Sequence, residues 1–390
     1  MKIKLSKTVS ITLLIFFLIG FPLQAVSAND SRPHHGRIIL GYHFGEGPPL
    51  SPTSGGTQSQ NQNTPAMHIS PNQPSSVVPA NSVPNPLTGM PMSATMAGRR
   101  PLAISMSNQT QALPMNGISH ADIVFEMLVE GGITRMIGLY QDISNVGLVG
   151  SIRSARHYTA CIAESFDAIL ISAGGSPQAY SHIAERGITH LDEVRGNPHQ
   201  MFRRDINRIP GRTVERYHSA VTTGELVTRW LPEIGVRLTH GHDHLNALFF
   251  VNDATPVDGG SADRVVVNFT SSNHSTFTFN NATRAYTMLQ PQGNFIDAND
   301  NSQPNFTNLL ILRTSVTPIP GDYAGRMEIE TVGHGSGYFV NGGRAVKIHW
   351  FRPGEPYPFI FMRRDGSILT LGRGNTYIGI ISENMNVTFE

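Results

Sequence analysis

Cysteine is nearly absent from this chain, which contains a single one, Cys161, among 390 residues. A disulfide within the chain is therefore impossible, and a metal cluster built on cysteines is excluded. Cys161 lies in an apolar helical pattern, which favours a small buried hydrophobic residue. The alternative is a reactive thiol beside His157, one helical turn earlier, and that role requires an open, electropositive setting.

Charge is also scarce. Charged residues make up 15% of the chain, and the formal net charge is +1. Such a balance lacks the overall positive charge typical of nucleic-acid-binding proteins, so nucleic acid is not expected as a partner. Any site for an anion must come from a local group of basic side chains.

The N-terminus has an apolar run that is too short for a typical membrane span. Val9 to Phe21 is shorter than the roughly 20 residues that a spanning helix needs. Lysines precede the run, and the small residues Val26-Ser27-Ala28 follow it. We interpret residues 1–28 as a signal peptide, with an uncleaved N-terminal anchor as the alternative. Either interpretation predicts a protein outside the cytoplasm, secreted or associated with the membrane or the cell wall.

Residues 29–84 are rich in Pro, Ser, Gln and Asn. This composition buries too little apolar surface to offset the entropy of the chain, so the segment is predicted to be a disordered linker. It would act as a flexible tether between the membrane or cell wall and the folded part.

The folded part is predicted to begin with an α/β domain at residues 85–240. Strands alternate with helices there, a pattern typical of an α/β layer with a mixed sheet. Ser154 and Ser176 are candidate N-caps of two helices, and Pro177 follows the second at the first helical position. The predicted strands are 101–106, 133–140 and 167–172, and the predicted helices are 154–166, one from 177, and 224–231.

A smaller, antiparallel β-rich domain is predicted at residues 255–390. Its short strands are separated by turn residues, and Asn341-Gly342 and Asp365-Gly366 are the clearest hairpin turns. The overall fold class is thus α+β or α/β, with an α/β domain followed by a β-rich one.

The stretch from Ser119 to Tyr180 contains the densest arginine cluster of the chain. Arg153 and Arg156 lie three residues apart near a predicted helix start, and Arg135 precedes them. Arginine suits bidentate binding of carboxylate or phosphate, and the amides of a helix start also favour anions. The alternative is a structural ion pair with Asp122, Glu126 or Glu130.

Gly174, Gly175 and Ser176 connect a predicted strand to a predicted helix. Ligands of open α/β sheets bind beyond the carboxyl ends of strands, and glycines allow a close backbone approach. These three residues are therefore a candidate ligand cradle. An N-cap role for Ser176 is favoured over a nucleophile, because Pro177 supplies no amide for an oxyanion hole. His218 is a further candidate for the same cleft.

Two other groups of residues are of types that can carry chemistry. Glu126 and Glu130 lie on one face in either a helix or a strand and are candidate acid and base residues, although pairing with Arg135 is preferred. His240, His242 and His244 alternate as metal ligands do, but no further ligand is evident in the sequence. No metal site and no cofactor are therefore predicted.

Several motifs of this sequence together point to one known family. They are Asn85-Pro86-Leu87-Thr88-Gly89, Glu130-Gly131-Gly132-Ile133-Thr134-Arg135, Arg153-Ser154-Ala155-Arg156, Gly174-Gly175-Ser176-Pro177-Gln178-Ala179 and Asp365-Gly366. With these motifs the sequence resembles the YerB-like family of bacterial lipoproteins, a domain of unknown function (DUF3048) with N- and C-terminal parts. The resemblance implies an extracytoplasmic envelope protein, and it implies no activity. A lipoprotein carries a cysteine after its signal peptide, and Ser27-Ala28-Asn29 stands there, so a lipid anchor is disfavoured.

Three hypotheses for the function follow. The first is a binding module for an anionic small molecule or envelope polymer. The second is a hydrolase or transferase acting on cell-envelope polymers, with Glu126 or Glu130 as the base, and the third is a protein-interaction scaffold. The sequence leaves open whether the protein is an enzyme. The residues proposed for ligand binding are Arg135, Arg153, Arg156, Gly174, Gly175, Ser176 and His218.

Overall fold

The structure, a computed structural model, describes residues 82–196, 198–291 and 293–390. The predicted signal peptide and the predicted linker as far as residue 81 lie outside these residues. The last three linker residues, Ser82–Pro84, form a strand that pairs with Pro91–Ser93, so the folded part begins slightly earlier than predicted. Within the described part of the chain, no helix has the length and apolar character required to cross a membrane.

Ten strands lie in the first half of the described chain. They are β1 (Ser82–Pro84), β2 (Pro91–Ser93), β3 (Leu102–Ser107), β4 (Ile123–Leu128), β5 (Thr134–Tyr140), β6 (Leu148–Gly150), β7 (Ile169–Ser172), β8 (His190–Asp192), β9 (Arg203–Arg204) and β10 (Ala220–Thr223).

Sixteen strands follow in the second half of the described chain. They are β11 (Phe250–Val251), β12 (Gly260–Ser261), β13 (Arg264–Asn268), β14 (His274–Asn280), β15 (Ala285–Gln290), β16 (Gly293–Asn294), β17 (Asn305–Phe306), β18 (Asn308–Thr314), β19 (Val316–Pro318), β20 (Met327–Ile329), β21 (Gly333–Asn341), β22 (Arg344–Arg352), β23 (Ile360–Met362), β24 (Leu371–Gly372), β25 (Thr376–Ser382) and β26 (Val387–Phe389).

The helices are short. The α-helices of the described residues are α1 (Ala94–Ala97), α2 (His157–Ser165), α3 (Pro177–Arg186) and α4 (Gly224–Trp230). The 3-10 turns are Thr110–Ala112, Ile118–His120, Glu130–Gly132, Pro198–Gln200, Arg216–His218 and Leu231–Ile234.

One large mixed sheet organises the fold. Its strand order is β12-β22-β21-β18-β25-β4-β5-β3-β7-β8, with β23 beside β22. A second sheet is antiparallel, in the order β16-β15-β14-β13-β26, with β17 beside β15. The predicted α+β class with a mixed sheet and antiparallel β-rich parts is confirmed.

The large sheet is covered on both faces. Along β4, Phe125 packs in one hydrophobic cluster with Tyr158 of α2 and Ile183 of α3. Val124, pointing the other way, packs in a second cluster with Phe277 of the antiparallel sheet. Successive residues of a strand point to opposite faces, so a strand covered on both sides reads as a continuous apolar run.

The segments predicted as two domains share this sheet. β25, near the end of the chain, lies between β18 and β4 and pairs in parallel with both. Each hydrophobic cluster also draws on both segments, and the described chain forms one compact unit. Residues 85–240 and 255–390 therefore fold around common cores rather than around separate ones. Pairing between strands so far apart in sequence leaves no local pattern from which it could be predicted.

The predicted start of α3 is confirmed, whereas that of α2 is wrong. Ser176 caps α3 by accepting a hydrogen bond from the Ala179 amide at 3.1 Å, and Pro177 follows it. The α2 helix begins at His157 and not after Ser154. The reason is that residues 152–155 are extended and pair with neighbouring strands, which uses the backbone groups that an earlier helix start would need.

Candidate functional site

Arg153 and Arg156 lie on an extended segment at the carboxyl ends of β3 and β7. The Arg153 amide donates to the Ser105 carbonyl at 2.8 Å, and the Arg153 carbonyl accepts from the Ala173 amide at 3.1 Å. The segment therefore continues the sheet between the ends of two parallel strands. This edge of an α/β sheet is where ligands commonly bind.

Two guanidinium groups contact one carboxylate at this edge, and a third, that of Arg153, lies near enough to feel its charge. Arg156 forms a two-pronged ion pair with Glu130, with Nε donating to Oε2 at 3.0 Å and Nη2 donating to Oε1. Arg135 Nη2 lies 4.0 Å from the same Oε1, and Arg135 Nη1 donates to the Ser154 carbonyl at 2.8 Å. We call Arg135, Arg153, Arg156 and Glu130 the arginine cluster.

The arginine cluster carries more positive than negative charge. Burial, together with the charges of Arg156 and Arg153, lowers the pKa of Arg135 to about 9, although Glu130 acts in the opposite direction. Burial likewise lowers the pKa of Arg153, and the charge of Arg156 adds to that effect. One carboxylate thus faces three guanidinium groups that repel one another.

Arg153 is the member of the cluster that is open to a ligand. It is half-buried, donates through Nη1 to the Tyr217 carbonyl, and its Cζ lies 5.4 Å from the centre of the Tyr217 ring. Its Nε has no hydrogen-bond partner within the described residues, although it is buried. A buried donor without a partner is costly, and an anion would satisfy it.

His218 lies behind Tyr217 in a setting that disfavours its protonation. The residue is fully buried, and neither ring nitrogen has a hydrogen-bond partner among the residues that the structure describes. Burial and the nearby charges of Arg153 and Arg208 lower the pKa of His218 to about 4. Arg208, which sequence reasoning missed, donates through Nε to the His218 carbonyl at 3.0 Å.

The turn at Gly174, Gly175 and Ser176 does not form the predicted backbone cradle. The Gly174 amide donates to Asp192 Oδ1 at 2.7 Å, and the Ser176 amide donates to the Ala155 carbonyl at 3.0 Å. These two donors are therefore not free for a ligand. The glycines serve the fold instead: Gly174 has a φ of +82°, and a Cβ on Gly175 would lie 3.2 Å from the Tyr180 ring.

Glu126 is not placed to act as a base. Its side chain is fully buried in β4, facing the antiparallel sheet. Burial raises the pKa of Glu126, and four donated hydrogen bonds oppose that effect. The donors are Asn108 Nδ2 at 2.8 Å, Thr134 Oγ1 at 2.6 Å, Ser275 Oγ at 2.8 Å and Tyr377 Oη at 2.7 Å.

The Glu130 side chain is partly exposed, and its carboxylate is ion-paired with Arg156. Burial acts to raise its pKa, but the hydrogen bonds and charge of Arg156 and the charge of Arg135 prevail and lower it to about 2. A general base works best with a pKa near the working pH. The structure therefore offers no support for either glutamate as the base of a hydrolase or transferase. The predicted pairing of Glu130 with an arginine is present, with Arg156 as the main partner.

The histidine run at His240, His242 and His244 does not form a three-histidine site. His240 and His244 stack with ring centres 3.8 Å apart, whereas the His242 side chain is exposed and lies beside Asp243. His240 Nδ1 lies 3.2 Å from Asp167 Oδ2. That carboxylate already pairs with Arg237 at 2.5 Å and with Arg100 at 3.2 Å, so its negative charge is neutralised.

Two family models match most of the described chain. The N-terminal domain of a protein of unknown function, DUF3048, matches residues 87–227, and the DUF3048 C-terminal domain matches residues 265–378. The chain belongs to the DUF3048 family. All members of the arginine cluster lie within the N-terminal DUF3048 match. The resemblance drawn from the sequence motifs is thereby confirmed.

One curated relative and one solved structure agree with this assignment. The Bacillus subtilis protein named "Putative lipoprotein YerB" is 26% identical over 308 residues, which is 78% of this chain and 88% of the relative. The crystal structure of YerB from Bacillus subtilis has a TM-score of 0.66 and 24% identity, covering 78% of this chain and 98% of that one. The structural likeness shows that this DUF3048 chain has the fold of YerB.

Proposed function

We propose that this DUF3048 protein is an extracytoplasmic envelope protein that binds an anionic ligand at the arginine cluster. The observation that carries the proposal is the charge imbalance, in which Arg135, Arg153 and Arg156 face the single carboxylate of Glu130. Positive charges that are partly buried and close together are unfavourable in the free protein, because they lose hydration and repel one another. An anion bound beside them relieves this repulsion and so binds more tightly than it would to an isolated arginine.

We place the proposed anion beside Arg153 for the following reasons. Arg156 is held in place by Glu130 and Arg135 is buried, whereas Arg153 is half-buried. The Nε of Arg153, like that of Arg135, lacks a partner in the described part of the chain. Arg153 is therefore the residue that contacts the ligand. Arg135 and Arg156 strengthen the binding through their positive electrostatic potential. Tyr217, half exposed beside Arg153, forms one wall of the site.

The chemistry of the donors limits the class of ligand. A guanidinium group presents parallel N–H donors that match the oxygens of a carboxylate or a phosphate. Among envelope components, phosphate-bearing polymers and the carboxylates of cell-wall peptides carry these groups. The proposal takes the ligand to be a phosphate or carboxylate of an envelope polymer or of a fragment of one.

Location outside the cytoplasm rests on two supports. The N-terminal segment has the lysines, apolar run and small residues of a signal peptide. The Bacillus subtilis relative carries a name that describes it as a lipoprotein. A protein placed there is exposed to the anionic polymers of the envelope.

Thermal unfolding of the full chain against anions tests the proposal. The panel contains inorganic phosphate, a teichoic-acid fragment and a muropeptide, with chloride at equal ionic strength as the reference. A ligand of the native state stabilises it by about 2.7 kcal/mol at a hundredfold excess over its Kd. Arg153→Ala should abolish the shift, while Arg364→Ala, at an exposed arginine remote from the cluster in sequence, should keep it.

Two results would overturn the proposal. One is the absence of a shift with every anion, which would favour the scaffold hypothesis and a search for a protein partner by crosslinking. The other is an equal shift in the wild-type chain and in Arg153→Ala, which would place the anion elsewhere on the protein.

A further inference from the structure

The lone cysteine lies in a group of four metal-binding side chains, which the sequence did not reveal. His157 and Cys161 are one turn apart on α2, His182 is on α3, and Glu355 is in the loop after β22. One ligand atom from each of these residues lies within 4.8 Å of those of the others. We call these residues the four-donor group.

The distances within the four-donor group are close to those around a tetrahedral ion. Zinc bonds to nitrogen, oxygen and sulfur are roughly 2.0–2.3 Å long, which holds tetrahedral ligand atoms about 3.3–3.8 Å apart. Cys161 Sγ lies 3.6 Å from His157 Nε2 and 3.5 Å from His182 Nε2, both within that range. The two oxygens of Glu355 lie 3.1 Å from Cys161 Sγ (Oε1) and 3.8 Å from His182 Nε2 (Oε2). A small rotation of the Glu355 carboxylate would place one oxygen at the spacing that an ion requires.

The surroundings resemble the outer shell of a metal site. Histidines that bind zinc commonly donate their second ring nitrogen to a carboxylate, which fixes the ring. His157 Nδ1 lies 2.8 Å from Glu328 Oε1, so its Nε2 is left to face Cys161. The carboxylate of Glu164 also lies close, with Oε2 at 3.7 Å from His182 Nε2 and no hydrogen-bond partner within the described residues.

The group also carries negative charge that a cation would attract. Cys161 and His182 are buried, and three carboxylates, those of Glu164, Glu328 and Glu355, lie around them. Arg186 already pairs with Glu164 at 2.7 Å, so Glu328 and Glu355 supply most of the attraction. A coordinating thiol is deprotonated by a bound divalent ion, which then has one more anionic ligand.

We propose that His157, Cys161, His182 and Glu355 bind a zinc-like divalent transition-metal ion. One sulfur, two imidazole nitrogens and one carboxylate oxygen form a donor set that zinc accepts. Four protein ligands close the coordination sphere, which is the arrangement of structural rather than catalytic zinc sites. The ion joins α2 and α3 to the loop after β22 and so links the two halves of the described chain.

Cobalt substitution in the full chain tests the proposal through the cysteine itself. The chain, purified with chelator and reductant, is titrated with Co²⁺ and followed by absorption. Because Cys161 is the only cysteine, a sulfur-to-cobalt charge-transfer band reports this site alone. We expect one equivalent of Co²⁺ to produce that band together with intense tetrahedral d–d bands, and Zn²⁺ to displace both.

Variants separate this site from other histidines of the protein. Cys161→Ser should lose the charge-transfer band, and His182→Ala should lose the tetrahedral spectrum. Glu328→Gln, which removes only the carboxylate behind His157, should weaken Zn²⁺ binding by roughly 10- to 100-fold. The matched control is the double variant His240→Gln and His244→Gln, which alters the other histidine pair and should leave the spectrum unchanged.

Stability measurements show whether each variant still folds, so that a lost metal signal can be assigned to the site. Circular dichroism of each metal-free variant should match that of the metal-free wild type, and Zn²⁺ should raise the Tm of the wild type but not of Cys161→Ser. The absence of a charge-transfer band in the folded wild-type chain would overturn the proposal. So would Zn²⁺ affinity that is the same in Cys161→Ser, His182→Ala and the wild type.

Discussion

The Glu126 carboxylate accepts a hydrogen bond from the Tyr377 hydroxyl at 2.7 Å, joining residues 251 positions apart in the chain. Both side chains are fully buried, and their strands, β4 and β25, are parallel neighbours in the large sheet. The pair therefore lies where the two family-defined halves meet. It also explains why a buried carboxylate is tolerated there, because a buried charge needs donors for its lone pairs.

Removing one donor to Glu126 should destabilise the fold by a measurable amount. Tyr377→Phe leaves the ring in place but removes one of the four hydrogen bonds to the carboxylate. A hydrogen bond to a charged group contributes about 1.5–3 kcal/mol, so we expect a loss of that size in urea unfolding. Tyr323→Phe, at a fully exposed tyrosine, is the control and should change stability by less than about 0.5 kcal/mol. Equal stability of both variants would show that the remaining donors compensate fully.

Stability should fall as the pH decreases from about 6.5 towards about 4, partly because of His218. Burial and then Arg153 and Arg208 lower the pKa of His218 from 6.5 to about 4. The unfolded chain therefore binds a proton in this window that the folded chain does not bind, which favours unfolding as the pH falls.

The test compares urea unfolding at pH 7.5 and pH 5 in the wild type and in His218→Gln. The His218 contribution to the loss should reach about 2 kcal/mol at pH 5 and should be missing in the variant. His349→Gln, at an exposed histidine, should retain the wild-type pH dependence. The same slope in His218→Gln and in the wild type would mean that other groups control the acid sensitivity.

Removing the carboxylate of the arginine cluster should strengthen anion binding. Glu130→Gln leaves Arg135, Arg153 and Arg156 without a neutralising charge. We expect anion affinity to rise by about fivefold, which corresponds to about 1 kcal/mol, the upper range for a partly exposed ion pair. The same variant should be less stable without ligand, because Arg156 loses its two-pronged partner. Isothermal titration with the anion identified by thermal unfolding checks the change, and weaker binding in Glu130→Gln would show that Glu130 itself positions the ligand.

Arg352 should be among the most sensitive arginines of the fold. It is fully buried and donates to the carbonyls of Cys161 at 2.8 Å and Tyr357 at 2.8 Å and to Thr331 Oγ1 at 3.0 Å. Arg352→Ala leaves these acceptors without donors, and we expect a loss of more than about 3 kcal/mol in chemical unfolding.

Two comparisons make the Arg352 measurement specific. Arg352→Lys should recover only part of the loss, because an ammonium group lacks the planar fork of donors. Arg364→Ala, at an exposed arginine, should stay within about 0.5 kcal/mol of the wild type. Wild-type stability in Arg352→Ala would contradict the structural role assigned to this residue.

Local features of the fold could be predicted because their causes lie within a few residues. The N-cap of α3 follows from Ser176 and Pro177. The hairpin between β21 and β22 was predicted at Asn341-Gly342, and it forms one residue later, because Asn341 pairs with Arg344. In that hairpin Gly342 and Gly343 have φ values of +59° and +79°, which suits a two-residue turn. The predicted start of α2 was wrong, although the helix itself is present, because pairing of residues 152–155 with neighbouring strands delays the helix to His157.

In the candidate sites, too, residues close in sequence could be predicted, whereas partners that are distant in sequence could not. Arg153 and Arg156 were identified from their spacing, and His157 lies one helical turn from Cys161 in the sequence itself. Glu355 has no local signal that connects it to Cys161, since it lies 194 residues away. Other contacts at the site also join residues that are apart in the sequence. Glu130 pairs with Arg156, the Gly174 amide donates to Asp192, and the Ser176 amide donates to the Ala155 carbonyl.

The alternation of strands and helices, most turn positions and the residue types available for chemistry could be predicted from the sequence alone. These features follow from backbone preferences and from side-chain periods of two or 3.6 residues. Long-range contacts were needed to show that β25 joins the two halves in one sheet, that Glu126 is buried among four donors, and that Glu355 approaches Cys161. Such contacts form when segments up to hundreds of residues apart are brought together, and a local sequence pattern contains no information about them.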